Sequence, residues 1–412
     1  MHKIFILLKG KTQTFHPLVW VLLFGTFISR AGFFMSIPFL GIYLHEIKGY
    51  DNSITGAILG ISFFISTFSS FLGGAWSDRF GRFPVIIVSM LLWSMMFIGF
   101  VFASEIWQFF LLNALSGFCR SLFEPTARAL LVDVTPTDKR IDVFNTRYFA
   151  INIGGAIGPL VGLSLGSSKN PQMFFITAII FFICGLLLII SKTKFTFSEN
   201  NISHSEKFTL KSSMRIIASD KVFKFFLIGN IFTTGAYAQL DTTLSQYLGT
   251  ENVGVYSFLF AANAIAILIL QFPIVKIMKK YQPLTALKLG SFLFALGISG
   301  FGFSNSMILL VLSVVFFTVG EILCFIIGDV LISDIAPKHL RGAYFGASGL
   351  QFFGQSAGAW LGGMLLSILG INNGILIFGI LSILTLSAYP FFQHGETLLK
   401  KEVDIRQNTK IS

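Results

Sequence analysis

The chain of 412 residues is short of charge: Asp, Glu, Lys and Arg together make up 12%, about half the share in an ordinary globular protein. It is also short of cysteine, with three, at positions 119, 184 and 324, each inside an apolar stretch. That number and spacing exclude a disulfide framework and a zinc cluster, and leave the three as small helix-packing residues. The six His are scattered without a metal pattern, so neither a metal nor a cofactor is expected. No G-x-x-x-x-G-K-[ST] phosphate loop occurs, which argues against ATP-driven chemistry. Between Met1 and Lys9 the apolar run is too short for the core of a secretory leader, so no processing is expected.

What the chain has in excess is apolar surface. Residues of the AVILMFWYC set make up 54%, Phe alone numbers 49, and mean hydropathy is +0.77. A set of soluble domains is excluded, and a polytopic membrane protein is expected. With about 20 apolar residues per spanning helix, the segments fall at 17–44, 53–76, 84–103, 107–131, 143–167 and 171–191. A second set falls at 221–247, 252–278, 283–303, 307–332, 341–368 and 372–393. The most polar stretch, 192–220, separates the sets and reads as a cytoplasmic linker. The expected organisation is therefore an N-terminal six-helix bundle (1–191), that linker, a C-terminal six-helix bundle (221–393) and a tail (394–412).

The net charge of +11 tempts a nucleic-acid reading. Placing both termini in the cytoplasm puts 24 of the 30 Lys and Arg on that side, leaving Lys48 and Lys169 outside. This is the positive-inside pattern, so the excess is topological and nucleic acid is not expected as a partner. The remaining four, Arg30, Arg120, Arg128 and Arg147, lie within spans. An internal repeat supports two halves: Asp133, Pro136 and Arg140 after span 4 recur as Asp334, Pro337 and Arg341 after span 10, each at an offset of 201. Repeated six-span halves are a common build of secondary transporters.

Between spans 2 and 3 stand Gly74, Asp78, Arg79, Gly81 and Arg82 in the pattern G-x-x-x-D-R-x-G-R. Alone it is a charged turn that obeys topology. With its position, the span count and the repeat, it resembles the signature loop of the major facilitator superfamily. The resemblance implies an all-α membrane protein with the major facilitator fold, twelve transmembrane helices in two pseudo-symmetric six-helix bundles. It also implies a cytoplasmic gate, in which Asp78 meets the positive end of span 11 near Arg341 and Arg82 pairs with Asp133.

Span 5 holds Gly154, Gly158, Pro159 and Gly162. Glycines four apart share a helix face and allow close packing, which is one reading of them. The other is functional: G-x-x-x-G-P-x-x-G resembles the antiporter motif of the twelve-helix bacterial drug:proton antiporters, and export is favoured. The family's earlier Gly falls at Asn145 and its trailing Gly at Leu163. Likewise the Arg that such exporters carry four residues before a Gly of span 4 is here Asn113, before Gly117, so that residue's proton-linked role does not carry over.

Span 4 presents Arg120, Glu124 and Arg128 at i, i+4 and i+8, on one face. They form either a self-neutralising ladder or a cavity-facing set, with Arg128 the most structural member. Arg30 and Arg147 either pair with nearby carboxylates or join Arg120 in a basic surface that favours an anionic substrate. In the second half Asp241 (span 7) and Glu321 (span 10) are intramembrane carboxylates, a costly placement that marks function unless neighbours satisfy them. They resemble the acidic, proton- and cation-binding positions of multidrug members of the superfamily; Asp329, eight residues on, is the weaker candidate. Asn230, Gln239, Asn263 and Gln271 either line the cavity or link helices.

Taken together these features point to a monomeric secondary transporter of the bacterial cytoplasmic membrane, not an enzyme. It exports a small organic molecule or drug in exchange for protons, with substrate contacts expected from Arg30, Arg120, Glu124, Arg147, Asp241 and Glu321. Alternatives are a dedicated exporter of an anionic metabolite such as a carboxylate siderophore, and a proton-coupled importer. A membrane-bound enzyme or receptor on this fold would be expected to carry an appended domain, and the loops are too short for one.

Overall fold

Long apolar runs leave a backbone in hydrocarbon no hydrogen-bond partner but itself, which selects the helix. The computed structural model describes residues 15–50, 52–164, 172–194, 210–248, 253–303 and 306–408, and among them there is no strand. The α-helices are, in order, α1 (Pro17–Ile42), α2 (Asn52–Phe80), α3 (Arg82–Phe102), α4 (Ile106–Asp133), α5 (Arg140–Ser164), α6 (Gln172–Lys194), α7 (Leu210–Ser219) and α8 (Lys221–Asp241). They continue with α9 (Thr243–Leu248), α10 (Val253–Met278), α11 (Pro283–Gly300), α12 (Met307–Ile335), α13 (Arg341–Ala347), α14 (Gln351–Leu369), α15 (Gly374–Leu386) and α16 (Ala388–Asn408).

Nine stretches among the described residues are long and apolar enough to cross a membrane. Three further helices, α4, α5 and α8, have 28, 25 and 21 residues. At 1.5 Å per residue they measure about 42, 38 and 32 Å, enough for a hydrocarbon core of about 30 Å. Charged residues inside them lower their hydropathy, and these are the helices that carry Arg120, Glu124, Arg147 and Asp241.

The chain divides into two units: Met1–Phe208 with Ala336–Ala347, and Thr209–Ile335 with Ser348–Ser412. In the first, α1 packs on α5, α2 on α4, and α3 on α6; in the second the same pairings recur as α8 on α14, α10 on α12, and α11 on α15. The internal repeat is thus one of packing as well as of sequence. Stacked aromatics fill the first unit, where Phe97 lies parallel to Phe181 and Phe100 to Phe109, with ring centroids 5.5 and 6.2 Å apart.

Three expected spans are interrupted. Span 7 breaks at Thr242, so Asp241 ends α8. Span 11 breaks in a short 3-10 turn at Ser348–Leu350, where the Thr234 hydroxyl donates to the Gln351 carbonyl at 2.8 Å. The last span breaks at Ser387, just before Pro390, which has no N–H to continue the ladder. Beyond the break α16 runs on to Asn408, so most of the 394–412 segment is helical.

Candidate functional site

The first cluster forms where α2 ends. Gly74 on α2 and Gly342 on α13 lie backbone to backbone: a Cβ at Gly74 would stand 1.8 Å from the Gly342 carbonyl oxygen, and one at Gly342 2.3 Å from that of Gly74. Only glycine at both permits this approach, and it brings the Asp78 carboxylate to the start of α13. Its oxygens accept from the Gly342 and Ala343 amides at 2.9 and 2.7 Å. Gly81, at φ +94°, turns the chain from α2 into α3 in a conformation other residues rarely adopt.

That turn delivers Arg82, fully buried, into the cluster. Its guanidinium pairs with Asp78, donates to the Ser77 hydroxyl at 2.7 Å and reaches Asp133 at 3.0 Å. Arg341 takes the other Asp133 oxygen at 2.6 Å. Arg128 adds a further tie to α13, donating to the Phe345 carbonyl at 3.1 Å with its guanidinium 5.0 Å from the Phe345 ring. Arg79 does not join: it is exposed and lies over Phe80.

The second cluster lies deeper in the same unit. Glu124 is held from across the bundle: Arg30 of α1 meets one carboxylate oxygen and Arg147 of α5 the other, each at 2.5 Å. Arg120 and Arg128 add their charges from its own helix, so the ladder is one part of a larger cluster. Arg120 leans between Phe63 and Phe33, its guanidinium 4.7 and 5.7 Å from their ring centroids, and donates to the Ser66 hydroxyl at 3.2 Å. Each carboxylate oxygen of Glu124 thus has its own guanidinium, in charge-assisted hydrogen bonds that are stronger than neutral ones. Four arginines, Arg30, Arg147, Arg128 and Arg120, share the field of this one carboxylate. Asn113, where drug exporters carry Arg, is buried and donates to the Ile58 carbonyl at 2.5 Å, tying α4 to α2.

The seam that brings Arg30 and Arg147 together is built on glycine. A Cβ at Gly154 would stand 2.6 Å from the Phe27 carbonyl oxygen, and one at Gly158 2.6 Å from that of Ala31. Pro159 and Gly162 continue α5, but the Pro159 side chain and the surroundings of Gly162 lie outside the described residues.

The third cluster is in the second unit. Glu321 on α12 is 2% exposed and accepts a hydrogen bond from the Asn263 amide of α10 at 3.1 Å; the same amide donates to Thr318 at 2.9 Å. Asn263 was readable only as a polar residue in a span, because nothing in its neighbourhood along the chain names a partner 58 residues away. Asp329 is half-buried, two turns further along α12. Asp241 ends α8, and its side chain lies outside the described residues. Gln239 and Asn230 link helices, Gln239 to the Gly358 carbonyl at 3.0 Å and Asn230 to the Gln351 side chain at 3.3 Å.

Two repeated helical units, with charged groups set inside long helices of spanning length, are the build of a multi-pass membrane protein. The chain belongs to the major facilitator superfamily: the family model matches residues 22–359 and, in a second match, 252–407. Its fold is that of the family, and it is a transporter rather than an enzyme. It is 36% identical over 397 residues to the MFS-type transporter YqjV of Bacillus subtilis (strain 168), covering 95% of this chain and 97% of the relative. To a Na(+), Li(+), K(+)/H(+) antiporter of Planococcus maritimus it is 29% identical, covering 81% and 85%. To the multidrug resistance protein MdtG of Proteus mirabilis (strain HI4320) it is 33% identical, covering 55% and 56%.

Proposed function

We propose that this transporter exports a small organic molecule from the bacterial cytoplasm in exchange for protons, as a monomer with both termini cytoplasmic, by alternating access. The observation that carries the reading is Glu321: a carboxyl 2% exposed inside a spanning helix, with a neutral amide as donor. A carboxyl is costly to place inside a membrane, and carboxyls kept there commonly serve proton relays. Asp241 at the α8 break and Asp329 are the supporting carboxyls. The relative named as an antiporter exchanges cations for protons, which supports proton coupling in this branch. Gly154, Gly158, Pro159 and Gly162 resemble the antiporter motif and support export.

In this reading the cluster of Gly74, Asp78, Gly81, Arg82 and Asp133 is the cytoplasmic gate, and Arg341 and Arg128 belong to it because they hold the α13 segment. Opening requires Asp78 to give up two backbone amides and a guanidinium together, so the gate works as one unit. A second reading, export of an anionic metabolite, is favoured by the excess of Arg30, Arg120 and Arg147 over Glu124.

Proteoliposomes with an imposed pH gradient, challenged with a cationic dye, a neutral drug and a polycarboxylate, test both. Proton movement on addition of the dye or drug, lost in Glu321→Gln, is the expected result. A response to the polycarboxylate alone replaces the first reading with the second, and unchanged proton exchange in Glu321→Gln removes this residue from the mechanism.

A further inference from the structure

Along α10 the buried residues are Leu259, Asn263, Ile267, Gln271 and Val275, one every four residues. That stripe is the face α10 turns to α12, since Asn263 on it reaches Thr318 and Glu321. Four of the five members are what a helix seam requires. Gln271 is not. It is 0% exposed, and neither its amide nitrogen nor its carbonyl oxygen has a hydrogen-bond partner among the described residues. Leaving a buried amide unbonded costs about 1–3 kcal/mol, and such groups in native interiors are normally satisfied by water.

The chemistry of the missing partner can be narrowed. Gln271 needs an acceptor for its NH2 and a donor for its carbonyl. A metal cation would serve the oxygen and leave the nitrogen bare, whereas water serves both. Register says where that water sits. Helix α11 runs antiparallel to α12, with Gly290 against Cys324 and Gly297 against Phe317, and α10 joins α11 through a short turn. Helices α10 and α12 are therefore parallel. Gln271 lies eight residues beyond Asn263, and Asp329 eight beyond Glu321, so both are about 12 Å further along the same seam.

We infer that the α10–α12 seam is a hydrated proton path, in which water held at Gln271 connects the Glu321 carboxyl to the end of the seam marked by Asp329 and Lys276. Gln271 is a positioning residue here, and the inference rests on the reading of Glu321 as a proton-exchanging group. Among the described residues, the Cys324 thiol on the same helix lies within electrostatic range of this carboxyl. On the neighbouring helices, Lys288 of α11 is bound to Glu396 and Tyr237 of α8 packs on Phe325.

The test needs no substrate. The full chain in lipid nanodiscs is followed by infrared spectroscopy, and the Glu321 carboxyl stretch is identified as the band missing in Glu321→Gln. Its hydrogen–deuterium exchange after a switch to D2O is then timed. Gln271→Met, which keeps the shape and removes both polar atoms, is expected to leave the band in place and slow its exchange by about tenfold or more, while Gln271→Asn restores the rate. Wild-type exchange in Gln271→Met overturns the path and leaves the Glu321 reading standing. A rise in melting temperature in that variant also overturns it, because a dry seam gains from losing an unbonded amide. Absence of any Glu321 band between about pH 5 and 9 defeats both readings.

Discussion

The two halves of the chain each hold a carboxylate inside a long helix, half-buried in the first and buried in the second, and they treat it in opposite ways. In the first, Glu124 sits between Arg30 and Arg147, one oxygen to each guanidinium. In the second, Glu321 accepts from the Asn263 amide. Removing the charge of the first would strand two cations, whereas the Asn263 donor to the second is neutral. The repeat sharpens the contrast. At the offset of 201 residues that relates the halves, Arg120 corresponds to Glu321 and Arg128 to Asp329, while Glu124 corresponds to Phe325. The halves have kept a charged position and reversed its sign.

The strongest way to break this comparison is to neutralise both carboxyls. Glu124→Gln strands Arg30 and Arg147 in the interior, and removing one partner of a buried ion pair costs about 3–5 kcal/mol. Low yield and a large fall in melting temperature are expected. Glu321→Gln keeps an oxygen for Asn263 and is expected to cost less than about 1 kcal/mol, yet to abolish proton exchange. Equal losses of stability in the two variants would mean that the two carboxyls are held alike.

The helix seams give a second comparison, between α1–α5 and α8–α14. A Cβ at Gly158 would press on the Ala31 carbonyl at 2.6 Å, and one at Gly358 on that of Gly235 at 2.4 Å, whereas at Gly155 the nearest atom, on Phe34, is 3.7 Å away. Gly158→Val and Gly358→Val are each expected to cost about 1–3 kcal/mol through overpacking. Gly155→Ala serves as the tolerated control. If Gly158→Val alone impairs transport at equal stability, the antiporter motif does more in the first half than pack helices.

Much of this was legible in the sequence, and what was not has a common cause. Hydropathy marked the spans because a membrane interior admits few alternatives, and the pattern around Asp78 named Arg82, Asp133 and the start of span 11. The breaks at Thr242 and Ser348 were missed, since each stretch is apolar enough to continue as one helix. The sequence left Arg30 and Arg147 open to pairing with a nearby carboxylate, but nothing in it named Glu124 as that carboxylate. Spacing along α4 offers Arg120 and Arg128, and only the close approach of α1 and α5 at Gly154 and Gly158 brings Arg30 and Arg147 nearer. Partners chosen by packing between distant segments leave no local signal.

A third comparison sets the loop after α2 against its counterpart after α10. The first carries Asp78; at the repeat offset the second has Lys279, and no carboxylate answers Asp78 there. The gate proposed for Asp78 is therefore one-sided. Asp78→Asn keeps an oxygen for one of the Gly342 and Ala343 amides but loses the charge that Arg82 meets. Transport is expected to slow about tenfold with substrate binding retained, as for a change of roughly 1.4 kcal/mol in a barrier. Unimpaired transport kinetics would remove the gate.

The smallest effect is expected where the two loops are alike. Arg79 and Lys280 occupy equivalent positions, and both are exposed. Arg79 lies over the Phe80 ring at 5.2 Å and takes no part in the Asp78 cluster. An exposed cation on an aromatic face is worth about 0.5–1 kcal/mol, so Arg79→Gln and Lys280→Gln should each leave stability within about 1 kcal/mol of wild type. Their transport rates should stay within about twofold of wild type, as for surface positions outside a network. If Arg79→Gln slows transport as much as Asp78→Asn while Lys280→Gln does not, Arg79 belongs to the gate. The loop after α2 would then use both of its cations, not Arg82 alone.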